Sequence, residues 1–246
     1  MNDYLQVLLY AAMPALGNFF GGVLAEVFKV SEKTLSLALH TAAGIVLAVI
    51  GLELMPQALE AEQPFIPVLA FVAGSVFFVF LDQGVGYVQS RFGGESKKGM
   101  SAAIAIYIGV AIDLFSDGIM IGTGSTVAAS LGLLLAIGQV PADIPEGFAT
   151  IATFKSKGVK RGKRLLLSAS FAIPIFLGAT VGYWGVKDSK EVVKLSLLAF
   201  VAGILLTVSI EEMLTEAHDR PDSKWAAFAL AGGFALFTLL AVYLEE

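Results

Sequence analysis

The chain has no cysteine, only two histidines, and charged residues at just 15% of its 246 positions. The first absence excludes a disulfide framework and any thiolate metal site, leaving carboxylate, imidazole, amide and backbone oxygen as the available ligands. The scarcity of charge, beside 57% hydrophobic residues and a mean hydropathy of +0.79, excludes a soluble globular domain of this length. The sixteen lysines and arginines fall in short clusters between apolar runs, and the net charge is −5, so no basic face exists to meet nucleic acid. Met1-Asn2-Asp3 lacks the basic flank of a secretory signal peptide, so the first apolar run is expected to be retained. The most informative absence lies deeper: the two apolar runs that hold Asp113, Asp117, Asp143 and Glu146 contain no basic residue. In a bilayer each ionised carboxylate at mid-depth costs about 2.5–3.5 kcal/mol on insertion scales, so a cation or a proton has to compensate.

What is there is a series of apolar runs long enough to cross a bilayer at roughly 20 residues each. They lie near 4–28, 34–58, 65–88, 100–123, 126–154, 165–186, 193–216 and 225–244, which predicts an all-α integral membrane protein of eight transmembrane helices in one domain over 1–246. A gap of two residues around Gly124 forces a tight turn between the fourth and fifth spans and makes them neighbours. The loops at 89–99 and 155–164 are short and polar. Alternating eight spans puts thirteen of the sixteen basic residues on one side and only Lys187, Lys190 and Lys194 on the other. Basic loops stay cytoplasmic, so both termini are expected outside the cell membrane, with the lysine-rich stretch 155–164 inside against anionic lipid.

The second and seventh spans superpose with an offset of 159 residues: Ala43-Gly44, Leu47, Val49, Glu53 and Ala58 meet Ala202-Gly203, Leu206, Val208, Glu212 and Ala217. Ala73-Gly74 and Ala231-Gly232 echo this weakly in the third and eighth. Five spans, an odd number, separate the copies, so they run in opposite directions and the plan is 3+2+3, helices 1–3 and 6–8 repeating with inversion around a central pair. Secondary transporters use such repeats and bind their cargo near the midplane between them.

Within the central pair, Asp113 and Asp117 are four residues apart and stack on one helix face beside Ser116. Asp143 and Glu146 are three apart, with Gln139 one turn earlier, so an antiparallel pair could turn all four acids into one cleft as an oxygen cage for a divalent cation. Pro141 and Pro145 bracket Asp143 and free backbone carbonyls at the same depth, tolerable where a cavity is lined. Gly118 and Gly147, each directly after an acid, remove bulk where helices or an ion come close.

These residues carry a resemblance. DLFSDG at 113–118 resembles the HNxxDG or HNxPEG signature of the ZIP family of zinc and iron transporters, and ADIPEG at 142–147 resembles its HExPEG partner. The second and seventh spans are also similar to that family's, and the likeness covers nearly the whole chain. The resemblance implies metal ligation by Asp117, Asp143 and Glu146, with Asp113 and Ala142 in the positions of the two signature histidines and Leu114 in that of the asparagine. Without those imidazoles, an oxygen cage shifts preference from zinc toward manganese, ferrous iron or magnesium, although zinc can still bind. The metal is cargo, with no prosthetic group, and exchange against protons is expected of a carboxylate cage. The resemblance further implies inward transport by an elevator-like motion of the first, fourth, fifth and sixth spans against the second, third, seventh and eighth, which would also form a homodimer interface.

Glu53 toward the outer end, and Glu211 and Glu212 toward the inner end, read either as pathway ligands or as interfacial glutamates reaching water. His40 and His218, both at the cytoplasmic edge, read as exit ligands or as ordinary interfacial residues; Asp82, Glu26 and Asn18 carry no assignment. One alternative is an intramembrane aspartyl protease, but Gly122-Thr123-Gly124 is followed by Ser125 where that chemistry needs aspartate. Another is a metal sensor without transport, for which no output domain or long loop is present.

Overall fold

The computed structural model describes residues 3–29, 31–92, 98–220 and 224–244. They form eight helical rods: α1 (Asp3–Val27), α2 (Glu32–Leu59), α3 (Phe65–Phe92), α4 (Lys98–Val127), α5 (Ala129–Ser156), α6 (Arg161–Val186), α7 (Glu191–His218) and α8 (Ala226–Leu244). Among the described residues, six rods are long and apolar enough to cross a membrane: α1, α2, α4 over Ile106–Val127, α6, α7 and α8 over Ala226–Tyr243. α3 holds a shorter apolar helix, Phe65–Leu81, and α5, interrupted by Asp143 and Glu146, is not among the six. The chain is thus an all-α, multi-pass membrane protein.

Two boundaries differ from the sequence expectation. α3 runs on to Phe92 and α4 begins at Lys98, so most of the expected 89–99 loop is helix, with 93–97 outside the described residues. The tight turn is not at Gly124, which is helical, but at Ala128, the one extended residue between α4 and α5 (φ −149°, ψ 140°). Gly124 serves packing instead: a Cβ there would press on Leu135, and one at Gly132 would collide with Ser125, so both glycines let the two helices close immediately after the turn. α2 starts where Ser31 Oγ accepts from the Thr34 amide at 3.1 Å, with Glu32 in the first turn.

Four close helix pairs build the bundle: α1 on α5, α4 on α6, α3 on α7 and α2 on α8. Each is pinned by glycines that bring one backbone against another. Gly17 and Gly21 of α1 meet Val140 and Ile144 of α5, and Gly178 and Gly182 of α6 meet Phe115 and Ile119 of α4. In the other pairs Gly44 meets Leu230 and Gly233 meets Thr41, while Gly203 meets Phe71 and Gly74 meets Phe200. Adding 159 to 41, 44 and 71 gives 200, 203 and 230, and adding it to 74 gives 233, so the α2–α8 and α3–α7 crossings repeat residue for residue. The glycine that continues the offset is therefore Gly233 and not Gly232, around which the structure is open.

The pairs assemble into two groups, α1, α4, α5, α6 and α2, α3, α7, α8, which meet mainly where α2 touches α5 and α4 touches α7. Both α2 and α7 widen to a π-helical segment, Val49–Leu54 and Ser209–Leu214, carrying Glu53 and Glu211-Glu212 respectively. Such widened turns leave i to i−4 hydrogen bonding locally and recur at functional positions.

At the end of α1 and α6 that carries the basic 155–164 segment, Glu26, unassigned from sequence, forms an ion pair with Arg164. Arg164 Nη2 lies 2.7 Å from Glu26 Oε2, its Nε also reaches Glu26, and Nη1 donates to the Val159 carbonyl. Arg164 is thus a buried tie between α1 and α6, not a residue free for lipid headgroups.

Gly21→Ala should lower stability by about 1–3 kcal/mol, because its Cβ would enter the Ile144 carbonyl. Gly232→Ala should be neutral or stabilise by about 0.5–1 kcal/mol, since only helix propensity changes; thermal unfolding in detergent measures both. Glu26→Gln, which strands the Arg164 charge, should cost about 3–5 kcal/mol, and the double change Glu26→Gln with Arg164→Met should recover most of that loss in the same assay.

Candidate metal centre

Asp113 and Asp117 project from α4 and Asp143 and Glu146 from α5, and the turn at Ala128 makes these helices antiparallel neighbours. Asp113, Asp117 and Asp143 are buried, Asp117 completely, while Glu146 is half-buried. The four lie within coulombic reach of one another, and Asp113 is within hydrogen-bonding reach of Glu146. Ion pairs among the described residues involve Glu26, Glu32 and Glu216, and none of these four.

The amide partners are equally informative. Gln139, one turn before Asp143, donates its Nε2 to Asp117 Oδ1, a short contact across the helix pair. Asn18 of α1 donates Nδ2 to Glu146 Oε2 at 3.3 Å. Five buried oxygens of this cluster have no partner within the described structure: Asp113 Oδ1, Asp117 Oδ2, Asp143 Oδ2, Gln139 Oε1 and Asn18 Oδ1. Every one is an acceptor, so only a cation, a proton or water satisfies them, and a buried polar atom left unpaired costs about 1–3 kcal/mol. Ser116 spends its hydroxyl on the Ile112 carbonyl of its own helix at 2.9 Å. As placed, no group of three or more histidine, aspartate or glutamate side chains among the described residues is drawn together tightly enough to hold a metal ion. The oxygens are gathered but not closed.

Pro141 and Pro145 leave α5 continuous, and their missing N–H groups deprive the Ile137 and Pro141 carbonyls of helical donors beside the acids.

A cavity of about 300 Å³ starts at Glu146 and runs between the two helix groups. α5 contributes Glu146, Thr150 and Thr153, α4 contributes Gly109, and α7 contributes Glu212 and Glu216. At the opposite end of the cluster, toward the Ala128 turn, Met120, Ile121, Leu135 and Ala136 are buried and belong to one apolar core with Val49 and Ile50. Of the four acids Glu146 borders the open space, while Asp113, Asp117 and Asp143 lie buried behind it, with packed hydrocarbon on the far side.

The residues singled out beyond the cage fall in different places. Glu212 lines the cavity, whereas Glu211 is exposed and is not part of its wall. Glu53 is buried at 5% exposure and has interaction partners, unlike a glutamate reaching interfacial water, and it does not line the cavity. His40 and His218 come together, their ring centroids 5.0 Å apart and edge to face. Each ring's Nδ1 sits against the carbonyl four residues earlier, Ser36 at 2.8 Å and Leu214 at 2.6 Å, so Nδ1 donates. The Nε2 of His40 is buried without a partner.

Two site residues were missed from sequence. Glu216, the last residue of the expected seventh span, carried no assignment; its signal was its four-residue spacing from Glu212. Asn18 looked like a helix–helix hydrogen bond; its signal was its position three residues after Ala15 on the buried Val7, Ala11, Ala15 face of α1.

The family model described as ZIP zinc transporter matches residues 93–241, a stretch that includes both acid-bearing helices. The zinc transporter ZupT of Shigella dysenteriae serotype 1 (strain Sd197) is 26% identical over 249 residues, covering 97% of this chain and 95% of the relative. That of Salmonella newport (strain SL254) is 27% identical over 252 residues, with the same coverage. With the family match spanning more than half of its length, the chain belongs to the ZIP zinc transporter family, whose members are transporters and not enzymes.

Proposed function

We propose that the protein carries divalent transition-metal cations across the membrane into the cytoplasm, holding each ion between α4 and α5 and exposing it alternately to the two sides. The observation that carries this reading is the set of unpartnered buried oxygens from Asp113, Asp117, Asp143 and Gln139, grouped with Glu146, which lines a cavity running between two helix groups. Asp117, Asp143 and Glu146 are the principal ligands, with Asp113 and Gln139 supplying further oxygens. A cation draws these side chains inward and supplies the positive charge that no basic residue provides. Protons compete for the same oxygens, so metal taken up displaces them.

All eight rods span the bilayer in this reading, with both termini outside the cell membrane and the basic 155–164 segment inside. The cavity at Glu146 then opens to the cytoplasm, Glu212 and Glu216 form a descending acidic path, and His40 with His218 lies at its exit edge. Glu53 belongs to the outer side. The recurrence of glycine contacts and π-helical segments about 159 residues apart supports an inverted repeat of helices 1–3 and 6–8 about the central pair. The glycine-pinned groups are the natural moving bodies, α1, α4, α5 and α6 travelling against α2, α3, α7 and α8. Exposed apolar side chains on α3 and α8, such as Leu69, Phe80, Phe228 and Leu239, are suited to lipid and to a second copy in a homodimer.

With oxygen replacing both signature imidazoles, manganese and ferrous iron are favoured beside zinc, the metal in the printed names of the relatives. In vesicles carrying purified protein, Asp117→Ala and Glu146→Ala should each lower uptake of zinc, manganese and iron at least about tenfold, the scale of losing a metal contact. Unchanged uptake in both would sink the site assignment, and a wild type that binds metal without moving it would favour a sensor. Asp113→His with Ala142→His should raise zinc uptake relative to manganese in the same competition assay.

Asp117→Asn keeps the acceptor used by Gln139 while removing one charge from an unneutralised cluster. In chelator-treated detergent solution its melting temperature should rise by roughly 2–4 °C per kcal/mol of relieved repulsion, and the stabilisation that wild type gains from added metal should shrink.

A further inference from the structure

Asn18 is the only member of the polar cluster that lies on α1. The face of α1 that bears it is otherwise apolar: Val7, Ala11 and Ala15 are buried in one cluster with Leu114 of α4. One turn further, that face presents a carboxamide with no exposure to solvent. Burying an amide in apolar surroundings costs about 1–3 kcal/mol unless both its ends are satisfied. Here only one end is. Nδ2 makes a long bond of 3.3 Å to Glu146 Oε2, and Oδ1 has no partner within the described structure.

The position of that oxygen is fixed by the backbone. Gly147, the residue after Glu146, lies directly against the Asn18 main chain, and any Cβ at 147 would enter the Asn18 carbonyl. Gly17 on Val140 and Gly21 on Ile144 hold the same crossing on either side. Asn18 therefore cannot drift from Glu146 without separating the closest helix pair of its group. Among the described residues its amide nitrogen is the one amide donor bonded to Glu146, and its free acceptor belongs to the same set of unpartnered oxygens, which a cation would satisfy together.

We propose that Asn18 is a metal-binding residue: its Oδ1 contributes a neutral oxygen ligand from α1, while its Nδ2 orients Glu146 so that the other carboxylate oxygen is turned to the ion. This rests on the metal-carrying reading of the α4–α5 site and extends that site to a third helix. Leu114, buried and apolar, supplies no polar group from α4, so the amide oxygens of the site come from Gln139 and Asn18. An added amide oxygen makes the donor set harder, favouring manganese and ferrous iron over zinc.

The test measures dissociation constants for manganese and zinc by equilibrium dialysis of the purified full-length protein and its Asn18→Leu, Asn18→Asp and Asn18→His variants. Asn18→Leu, of similar size, should raise the manganese constant about 10–100-fold. Asn18→Asp keeps an oxygen and loses the donor, so it should bind manganese at least as tightly as wild type; a loss equal to that of Asn18→Leu would show that Asn18 only positions Glu146 and would overturn ligation. Asn18→His should shift the zinc-to-manganese preference toward zinc by about tenfold or more, as imidazole ligands do. If Asn18→Leu fails to fold, the aspartate and histidine variants decide. Wild-type binding with all three variants unchanged overturns this inference alone, whereas a wild type that binds neither ion overturns the metal-carrying reading as well.

Discussion

The constraint on which the rest of this structure depends is the burial of like charge without a counter-charge. Four ionised carboxylates, at about 2.5–3.5 kcal/mol each for a position at mid-membrane, would sum by simple addition to roughly 10–14 kcal/mol, comparable with the whole stability of a typical domain. Nothing basic among the described residues offsets them, and the amides of Gln139 and Asn18 each donate to only one oxygen. A fold that keeps such a cluster needs a rigid frame around it and a mobile positive charge within it.

The frame is built from glycine. Across α1–α5 and α4–α6, glycines at 17, 21, 147 and at 118, 122, 178, 182 remove every Cβ that would hold the backbones apart, so the two acid-bearing helices are each locked to a partner. The two remaining crossings, α2–α8 and α3–α7, are pinned in the same way. Between the two groups the contact is of a different kind. There the wall is made of side chains and includes a cavity, and even a Cβ added at Gly109 of α4 would meet the Glu212 carboxylate only at ordinary van der Waals distance. Stiff pairs with a softer, partly open seam between them form a division suited to moving one group against the other while the acids stay together on the same body.

Much of this was legible in the sequence. Apolar runs of spanning length marked all eight rods, and spacings of four and three placed the acids on facing sides of two adjacent helices. Details that depend on three-dimensional register were not. Gly124 read as a turn because it falls in the two-residue gap between the fourth and fifth apolar runs, yet its role is close packing against α5, and the turn falls at the unremarkable Ala128. Gly232 and Gly233 are indistinguishable in composition, and only the crossing with Thr41 identifies the second as the contact. The π-helical segments of α2 and α7 have no composition signal. The roles of Asn18, Glu216 and the Glu26–Arg164 pair were unassigned for another reason: each takes its meaning from a residue more than a hundred positions away or from a cavity wall that no single helix defines.

The central claim, that a divalent cation sits among the α4 and α5 acids, is tested most directly by locating the ion. Anomalous diffraction at the manganese edge from crystals of the metal-loaded protein should show a peak within about 2.0–2.6 Å of oxygens from Asp117, Asp143 and Glu146, the range for hard cations on oxygen ligands. A fully occupied peak elsewhere, with these carboxylates paired only to each other or to water, would contradict it.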